Sequence, residues 1–370
     1  MKRSIADSLV LKEIPVEGYE KVVVATDERT GLKAIICIHN TTLGPALGGT
    51  RIHVYPSFEA ALTDAKRLAR GMTYKSALAE VGLGGGKSVI MCSPKDKTPE
   101  MLRSFAEAVD RLGGLYTCAE DVGCTIEDAT WIAKHTPYVV GCSSEKSSGN
   151  PSPFTAWGTF RGIEAVLQTL DGSTSVAGKT IAIQGLGSVG APLAEFLFWR
   201  GAKLIISDID WEKTQRYAKK WGAVACPAED VLSVKCDILS PCALGGIINP
   251  QTIPHLRCRG IAGSANNQLL NDQDADLLKQ KGILYAPDFV INAGGLINVS
   301  IEIEEEGYNP IKAQQKVDKL YDQLIRLFGI SEQNNCSTHQ AALSLGDYRL
   351  KYGVGKRQAP PRYHHQEISK

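Results

Sequence analysis

The amino-acid sequence predicts an α/β protein with two domains, and three observations support this. The chain has 370 residues, more than one small core requires at roughly 150 residues per domain. Short β-branched runs alternate with segments of helical periodicity along most of its length. Residues 141–153 are rich in Ser, Gly and Pro and have no periodicity, so they mark a junction. We therefore predict domains at 1–140 and 141–334.

The first domain is predicted to begin with two strands, at 22–25 and 33–38, because both are β-branched runs bounded by turn-forming residues. Apolar residues then recur at a period of 3.6 from 57 to 79, which indicates a long amphipathic helix. A glycine-dense loop and a short strand at 88–92 are expected next. Thr98 followed by proline is a typical helix start.

The second domain is predicted to begin with a connecting helix at 155–169 and a strand at 179–184. A further helix is expected at 313–328, from its periodicity. Residues 356–370 are basic and proline-containing, and we expect a solvated, disordered tail there.

The composition excludes several classes of protein. Hydrophobic residues make up 43% and charged residues 22% of the chain, which is typical of globular proteins. The net charge of +1 gives no electrostatic footprint for nucleic acid or an anionic membrane. No apolar run approaches the roughly 20 residues of a membrane span, and charged residues interrupt any secretory signal near the start. We expect a cytoplasmic protein that binds neither nucleic acid nor membranes.

The ten cysteines are scattered singly, without a Cys-x-x-Cys pair or a Cys/His cluster at zinc-ligand spacing. Cytosolic proteins keep such thiols reduced. The sequence therefore predicts no disulfide framework and no metal site.

A glycine motif indicates that the chain binds a dinucleotide cofactor. It follows the strand at 179–184 and precedes an apolar helix at 189–199, and it reads Gly185, Leu186, Gly187, Ser188, Val189, Gly190. In such a G-x-G-x-x-G the glycines allow a tight turn, close approach of a pyrophosphate, and packing of the helix on the strand. The next strand, 203–207, is followed by Asp208. An acid at this position accepts hydrogen bonds from the ribose hydroxyls and repels a 2′-phosphate. The motif predicts a Rossmann-like domain that binds NAD rather than NADP.

Residues 81–88 end in Gly-Lys-Ser but do not predict a P-loop. The leading glycine would stand at position 81, which is Val, and a strand follows Ser88 where a P-loop continues into a helix. We expect the glycines at 84–86 to form a loop that delivers Lys87 into a concave region, where burial lowers a lysine's pKa towards that of a base. Lys75, in the long helix, and Asp121, after a strand at 115–118, are further candidates. Each alone is typical of a solvated surface charge.

Together these segments resemble one family of enzymes, the amino acid dehydrogenases of the leucine, phenylalanine and valine group, which are relatives of glutamate dehydrogenase. The chain looks most like the leucine enzymes. The resemblance extends from about residue 22 to about residue 330. Its motifs are TTLGPALGGTR at 41–51, RGMTYK at 70–75, GGGK at 84–87, AEDVG at 119–123, SGNPSP at 148–153, GSANNQL at 263–269 and APDFVINAGG at 286–295.

The resemblance implies reversible oxidative deamination of an L-amino acid by NAD, giving a 2-oxo acid, ammonium and NADH. It implies that Lys75 holds the substrate α-carboxylate in a charge-assisted pair. Lys87 would polarise the reacting oxygen and activate water, and Asp121 would exchange protons with the amine. Further implied positions are Gly48, Gly49 and Asn267 near the substrate and Thr155, Ala243, Asn267 and Asn292 near the cofactor. Asn292 is equally typical of a turn residue.

The resemblance also implies a wider architecture. The first domain would carry a mixed sheet, and a helix at about 335–355 would return to it. The reacting carbon atoms would meet in a cleft between the domains, whose closure excludes water. The chain would form a homo-oligomer.

The family positions that line the substrate side-chain pocket are apolar here, and they are Leu47, Ala119, Val140, Leu296 and Val299. Binding to such a lining is favoured by about 25 cal/mol per Å² of apolar substrate surface that is buried. It leaves a second carboxylate unpaired, so glutamate is not expected. We expect branched-chain substrates, leucine first. Phenylalanine or tryptophan stays open, because pockets separate substrates that differ by one methylene by only about 1–3 kcal/mol. A catalytically silent NAD-binding protein is a remote alternative, and its mark would be a missing catalytic lysine or acid.

Overall fold

The computed structural model describes residues 8–143 and 147–364 and divides into two compact units. The first contains the residues up to Asn150, then Asn298–Lys312, and the residues from Tyr348 onward, while the second contains Pro151–Ile297 and Ala313–Asp347. The first boundary lies after residue 150 instead of 140. The chain also enters the first unit at Asn298–Lys312, which was not expected. It returns there finally only at Tyr348, so most of the helix predicted at about 335–355 to return to the first domain belongs to the second unit.

A mixed six-stranded sheet forms the centre of the first unit, in the order β1-β2-β3-β5-β4-β6. The β1–β2, β2–β3 and β3–β5 pairs are antiparallel, and the β5–β4 and β4–β6 pairs are parallel. The strands are β1 (Leu9–Glu13), β2 (Lys21–Asp27), β3 (Leu32–Asn40), β4 (Ala46–Ile52), β5 (Gly84–Ile90) and β6 (Tyr116–Ala119).

Helices cover both faces of this sheet. The long helix α1 (Phe58–Ala79), whose N-cap is Ser57, packs its buried alanines against Ile35, Cys37 and Val89. The opposite face of the sheet packs in a cluster with α2 (Pro99–Asp110) and α3 (Ile126–Ala133). Because side chains alternate along a strand, the residues that share a face with Val89 lie beneath α1.

The glycines at 84–86 belong to strand β5 rather than to a loop, so the loop prediction is wrong. All three are buried in the sheet. A Cβ on Gly85 would lie 2.1 Å from the backbone nitrogen of Thr73 in α1, and one on Gly86 would lie 2.8 Å from the ring of Tyr116. The missing side chains therefore let a helix and an aromatic ring approach the strand closely, a contact between distant segments that a local pattern does not reveal.

The second unit is built on a six-stranded, all-parallel sheet in the order β12-β11-β10-β7-β8-β9. This order, with helices between the strands, confirms the predicted Rossmann-like domain. The strands are β7 (Thr180–Gln184), β8 (Lys203–Ser207), β9 (Val224–Ala225), β10 (Ile238–Pro241), β11 (Gly260–Ile261) and β12 (Leu284–Tyr285).

The later helices are α4 (Ser152–Asp171), α5 (Gly190–Trp199), α6 (Trp211–Trp221), α7 (Asp274–Gln280), α8 (Asp288–Ile291), α9 (Gly294–Ser300), α10 (Pro310–Asp318), α11 (Leu320–Gln333) and α12 (Thr338–Tyr352). The single helix predicted at 313–328 is thus two helices that meet at Lys319. In the described parts of the chain, none of the helices is both long and apolar enough to cross a membrane.

The described part of the predicted tail, residues 356–364, packs on the first unit. The backbone N–H of Arg357 donates to the carbonyl of Leu43 at 2.8 Å, and its guanidinium donates to the carbonyls of Gly82 and Ile303. The hydroxyl of Tyr363 lies 2.7 Å from Oγ1 of Thr117. These contacts fix the segment, in contrast to the solvated tail that its composition predicts. Residues 365–370 of that prediction lie outside the described residues.

Candidate active site

Lys87 and Asp121 form a buried ion pair in the first unit. Nζ of Lys87 lies 2.7 Å from Oδ2 of Asp121, and the two side chains are 7% and 22% exposed. Lys87 lies on the central strand β5, and Asp121 lies two residues beyond the end of β6. The structure thus brings together the two residues for which the sequence predicts acid–base roles.

Strand β4 lies between β5 and β6, and its two glycines make room for the pair. A Cβ on Gly49 would lie 2.8 Å from Cβ of Asp121 and 3.2 Å from Nζ of Lys87. A Cβ on Gly48 would lie 1.8 Å from the carbonyl oxygen of Gly86. Any side chain at either position would displace the neighbouring strands or the ion pair. This is a structural reason for glycine at both predicted substrate positions.

Burial and neighbouring charges together lower the pKa values of both Lys87 and Asp121. Burial lowers the pKa of Lys87, because a desolvated ammonium loses its hydration, although the charge of Asp121 opposes this. Burial alone would raise the pKa of Asp121, but the neighbouring cations Lys87 and Arg51 outweigh it and hold that pKa below its usual value. The site therefore holds an ionised carboxylate beside a lysine whose pKa is shifted towards that of a base.

Arg51, the last residue of the motif at 41–51, contacts Asp121 as well, although no role was predicted for it. Nε of Arg51 lies 3.1 Å from Oδ2 of Asp121, and its Nη1 lies 3.0 Å from Oδ2 of Asp64 in α1. The hydroxyl of Tyr55 donates to the same oxygen of Asp64 at 2.7 Å. The available signal was an arginine two residues after Gly49 on one strand, which places both on the same face of the sheet.

Lys75 lies half-buried on α1, two residues after Thr73, whose backbone touches Gly85. Gly85 in turn lies two residues before Lys87 on β5. The two predicted lysines thus belong to a helix and a strand that are in close contact. Nδ1 of His39 on β3 lies 2.8 Å from Oγ1 of Thr73 and fixes the helix at this point.

Four of the predicted pocket residues are in the first unit. Leu47 is 2% and Val140 is 1% exposed. Ala119 pairs with Gly49 across β6 and β4, and the N–H of Val140 donates to the carbonyl of the preceding residue of β6, Cys118. Val299 is 7% exposed, and its Cγ1 lies 3.8 Å from the Cβ that Gly141 lacks.

The buried carboxylate of Glu302 holds the segment after Val140. Its two oxygens each accept the N–H of Gly141 at 3.1 Å, and one accepts the N–H of Ser148 at 2.9 Å. Burial raises the pKa of Glu302, although these hydrogen bonds oppose the shift. Glu302 therefore holds the backbone that follows Val140, and no local pattern in the sequence points to this role.

The glycine motif of the second unit has the shape that a dinucleotide needs. Gly185 has φ of +94°, in the left-handed region, and a Cβ there would lie 2.7 Å from Cβ of Ala243. A Cβ on Gly190 would lie 1.9 Å from the carbonyl oxygen of Gly185, so only glycine permits this turn. Gly187 is exposed and has open space within 4 Å of its missing Cβ in the described structure. It thus offers an open backbone for a pyrophosphate at the start of α5.

Asp208 follows β8 and is held by the same turn. Its carboxylate accepts the backbone N–H of Leu186 at 2.8 Å and that of Asp210 at 3.0 Å, and Nζ of Lys213 lies 3.1 Å from it. Burial alone would raise the pKa of Asp208, but these donors hold it below its usual value. An ionised carboxylate in this position suits a ribose with free hydroxyls. Ser188 and Val189 complete the turn between the strand and the helix.

The remaining positions predicted near the cofactor also lie in the second unit. Oδ1 of Asn292 is buried without a hydrogen-bond partner among the described residues, while its Nδ2 donates to Ser264 and Asn266. A Cβ on Gly295 would lie 2.8 Å from Oγ1 of Thr155. Asn267 and Ala243 are exposed, and Asn267 has a positive φ of 52°. The fifth predicted pocket residue, Leu296, lies in α9 and is 7% exposed. An open glycine turn and an unsatisfied buried acceptor fit a nicotinamide dinucleotide.

Two family models match the chain. The model described as "Glu/Leu/Phe/Val dehydrogenase, dimerisation domain" matches residues 18–138. The model described as "Glutamate/Leucine/Phenylalanine/Valine dehydrogenase" matches residues 209–349.

Curated relatives match nearly the whole chain. It is 49% identical over 344 residues to leucine dehydrogenase of Geobacillus stearothermophilus, which covers 92% of this chain and 93% of the relative. It is 45% identical over 345 residues to phenylalanine dehydrogenase of Caldalkalibacillus thermarum, covering 91% and 92%. The crystal structure of L-tryptophan dehydrogenase from Nostoc punctiforme has a TM-score of 0.80 at 43% identity and covers 91% of this chain and 96% of that one.

Proposed function

Since this chain belongs to the glutamate/leucine/phenylalanine/valine dehydrogenase family, we propose that it catalyses the reversible oxidative deamination of an apolar L-amino acid, with leucine preferred and NAD as cofactor. The products are the 2-oxo acid, ammonium and NADH. The observation that carries this proposal is the buried ion pair of Lys87 and Asp121, 2.7 Å apart.

Lys87 is proposed to act on the carbon that carries the amino group. Once an imine forms, water must add to it, and the resulting carbinolamine must lose ammonia. A lysine whose pKa is lowered by burial accepts the proton of the attacking water and returns it later in the reaction. As an ammonium it also stabilises negative charge that develops on the oxygen.

Asp121 is proposed to exchange protons with the substrate amine. Its pKa is held below the usual value, so it is an acceptor at neutral pH. Both neighbouring cations contact Oδ2, and Oδ1 is the oxygen we assign to the amine. Lys75 is proposed to hold the substrate α-carboxylate, because an ammonium on a rigid helix binds and orients a carboxylate.

The apolar character of the predicted pocket residues supports an aliphatic substrate. All five predicted pocket residues are apolar, so a leucine side chain bound among them would be removed from water, which is worth about 25 cal/mol per Å² of apolar area. A second carboxylate, as in glutamate, would be desolvated there at a cost of several kcal/mol. The 49% identity to a leucine dehydrogenase, against 45% to a phenylalanine dehydrogenase, supports leucine as the first choice.

The glycine motif and Asp208 are proposed to hold the cofactor. NAD, when bound, supplies the electron acceptor for the two electrons and the hydrogen that leave the substrate Cα. The open backbone at Gly187 would donate N–H groups to the pyrophosphate. Asp208 would accept hydrogen bonds from the ribose hydroxyls and repel the 2′-phosphate of NADP. Asn292, whose Oδ1 is buried without a partner in the described residues, would accept a hydrogen bond from the nicotinamide amide.

We also propose that the enzyme is cytoplasmic and forms a homo-oligomer. The family model that matches residues 18–138 is described as a dimerisation domain, which supports a homo-oligomer. Light scattering coupled to gel filtration tests this directly, and a monomer at micromolar concentration would contradict it.

Initial rates of NADH formation at alkaline pH test the proposed substrate and cofactor. Leucine, valine, isoleucine, phenylalanine, tryptophan and glutamate are compared, each with NAD and with NADP. We expect leucine with NAD to give the highest kcat/KM and glutamate to be close to background. An aromatic preference would support the alternative substrate class, and activity with glutamate would refute the argument from the apolar pocket.

The variant Lys87→Ala tests the role of the ion pair. We expect kcat to fall about 10³-fold or more, while NADH binding, followed by its fluorescence, is retained. Lys33→Ala is the matched control, because Lys33 is exposed on the neighbouring strand β3. Turnover of Lys87→Ala close to that of the control would remove Lys87 from the mechanism.

A further inference from the structure

Arg51 connects the proposed catalytic pair to a second carboxylate on α1. Its guanidinium lies between Asp121 and Asp64, with Nε 3.1 Å from one and Nη1 3.0 Å from the other. The side chain of Arg51 is 23% exposed. Asp64 is held in turn by the hydroxyl of Tyr55. The order of charges is therefore lysine, aspartate, arginine, aspartate, and they sum to zero.

We infer that Arg51 is a positioning residue that keeps Asp121 ionised and directed at Lys87 while Lys87 gains and loses its proton, an inference that rests on the function proposed above. Lys87 must be neutral during part of the proposed reaction. At that stage Asp121, whose side chain is only 22% exposed, loses one of its two cations. Arg51 remains charged, since guanidinium does not deprotonate in proteins. Its own pKa is raised, because its two carboxylates outweigh the effect of burial.

The same cation acts on both members of the pair. A positive charge lowers the pKa of a neighbouring acid and of a neighbouring ammonium alike, and Arg51 has this effect on both Asp121 and Lys87. It thus helps Lys87 to become a base while it prevents Asp121 from taking the proton. Lysine at position 51 would keep the charge, but its single ammonium lacks the planar fork that spans two carboxylates.

The other titratable groups around the pair belong to several elements. They are Asp64 on α1, Tyr55 after β4, Glu120 and Cys124 next to Asp121, and Tyr116 on β6. Among these, Asp64 raises the pKa of Lys87. Loss of Arg51 and loss of the Asp64 charge should therefore shift the titration of Lys87 in opposite directions.

The pH profile of kcat/KM with leucine and NAD tests this inference in three variants. The pH profile has two limbs, which we assign to the ionisation of Asp121 and of Lys87. In Arg51→Gln both limbs should move to higher pH by about 1 unit, because one close cation is lost. In Asp64→Asn the limb of Lys87 should move to lower pH. Arg51→Lys should keep the wild-type profile with a reduced kcat, and Arg67→Gln, an exposed arginine of α1, is the control for loss of charge alone. Limbs that stay in place in Arg51→Gln, whatever its activity, would overturn the inference.

A second measurement does not require turnover. Competitive labelling of lysines with acetic anhydride, read by peptide mass spectrometry, follows the neutral fraction of Lys87. At pH 8 the labelling of Lys87 should fall several-fold in Arg51→Gln and rise in Asp64→Asn, relative to Lys33. If wild-type protein forms no NADH from any amino acid, the proposed function fails, while the labelling still decides the role of Arg51. Equal labelling in all variants would refute it.

Discussion

Gly49→Ala is expected to reduce turnover while the protein stays folded. The added Cβ would lie 2.6 Å from the carbonyl oxygen of Glu120 and 2.8 Å from Cβ of Asp121. These distances are about 0.6–0.8 Å shorter than the 3.4 Å at which ordinary contact begins. The new methyl group must therefore displace Asp121, and with it the geometry of the ion pair, by a similar distance.

The size of the effect follows from that displacement. Misplacement of a reacting group by about 1 Å costs on the order of 10² in rate, so kcat should fall about 30- to 100-fold. Overpacking of this kind costs about 1–3 kcal/mol of stability. A domain with a normal margin of stability tolerates such a loss. The loss of activity should therefore appear in protein with a native circular dichroism spectrum.

The assay is the steady-state rate of NADH formation from leucine at saturating NAD. Gly329→Ala is the control, because Gly329 lies within α11 and a Cβ there meets nothing within 4 Å in the described structure. That variant should keep full turnover and gain up to about 1 kcal/mol of stability. If folded Gly49→Ala turned over within about 3-fold of wild type, the claim that Gly49 makes room for the ion pair would be wrong.

Two further predictions concern stability. Nη1 of buried Arg349 donates to the carbonyls of Ala77 and Leu78 at 2.8 and 3.0 Å, so Arg349→Ala should lower the free energy of unfolding by about 2–3 kcal/mol, and an unchanged urea midpoint would contradict this. Burial raises the pKa of Glu302, so the native state binds that proton more tightly than the unfolded state does. Wild type should therefore lose stability relative to Glu302→Gln as the pH rises from about 4 through the raised pKa, by at most about 1.4 kcal/mol per pH unit. Unfolding temperatures of the two proteins that run parallel across this range would refute the shift.

Local patterns predicted those elements whose cause is local. The periodicity of α1 and the cap at Ser57 lie within one segment, and the helix begins one residue after that cap. The glycine motif was equally informative, because a strand, a turn, a helix and an acid follow in sequence order. Its turn at Gly185 requires a conformation that glycine adopts without strain.

Features that depend on distant contacts could not be predicted in this way. Three successive glycines are typical of a turn, and only the contact of Gly85 with Thr73 explains why they form a central strand. The pair of Arg51 and Asp64 joins a strand to a helix that follows it, and neither residue departs from an ordinary surface pattern. The contact of Tyr363 with Thr117 spans 246 residues, beyond the reach of any local signal.

The position of Lys87 in the sheet determines its chemistry before any substrate binds. A lysine in an exposed loop would keep its hydration and its ordinary pKa, and it would depend on the substrate to remove water. On the central strand β5 the fold itself removes that water. The cost of burying an ammonium is then offset by Asp121, and Arg51 keeps this partner charged. Because the protein supplies both the desolvation and the compensating charges, the acid–base groups are preorganised, which is the condition for fast proton transfer at a reacting carbon.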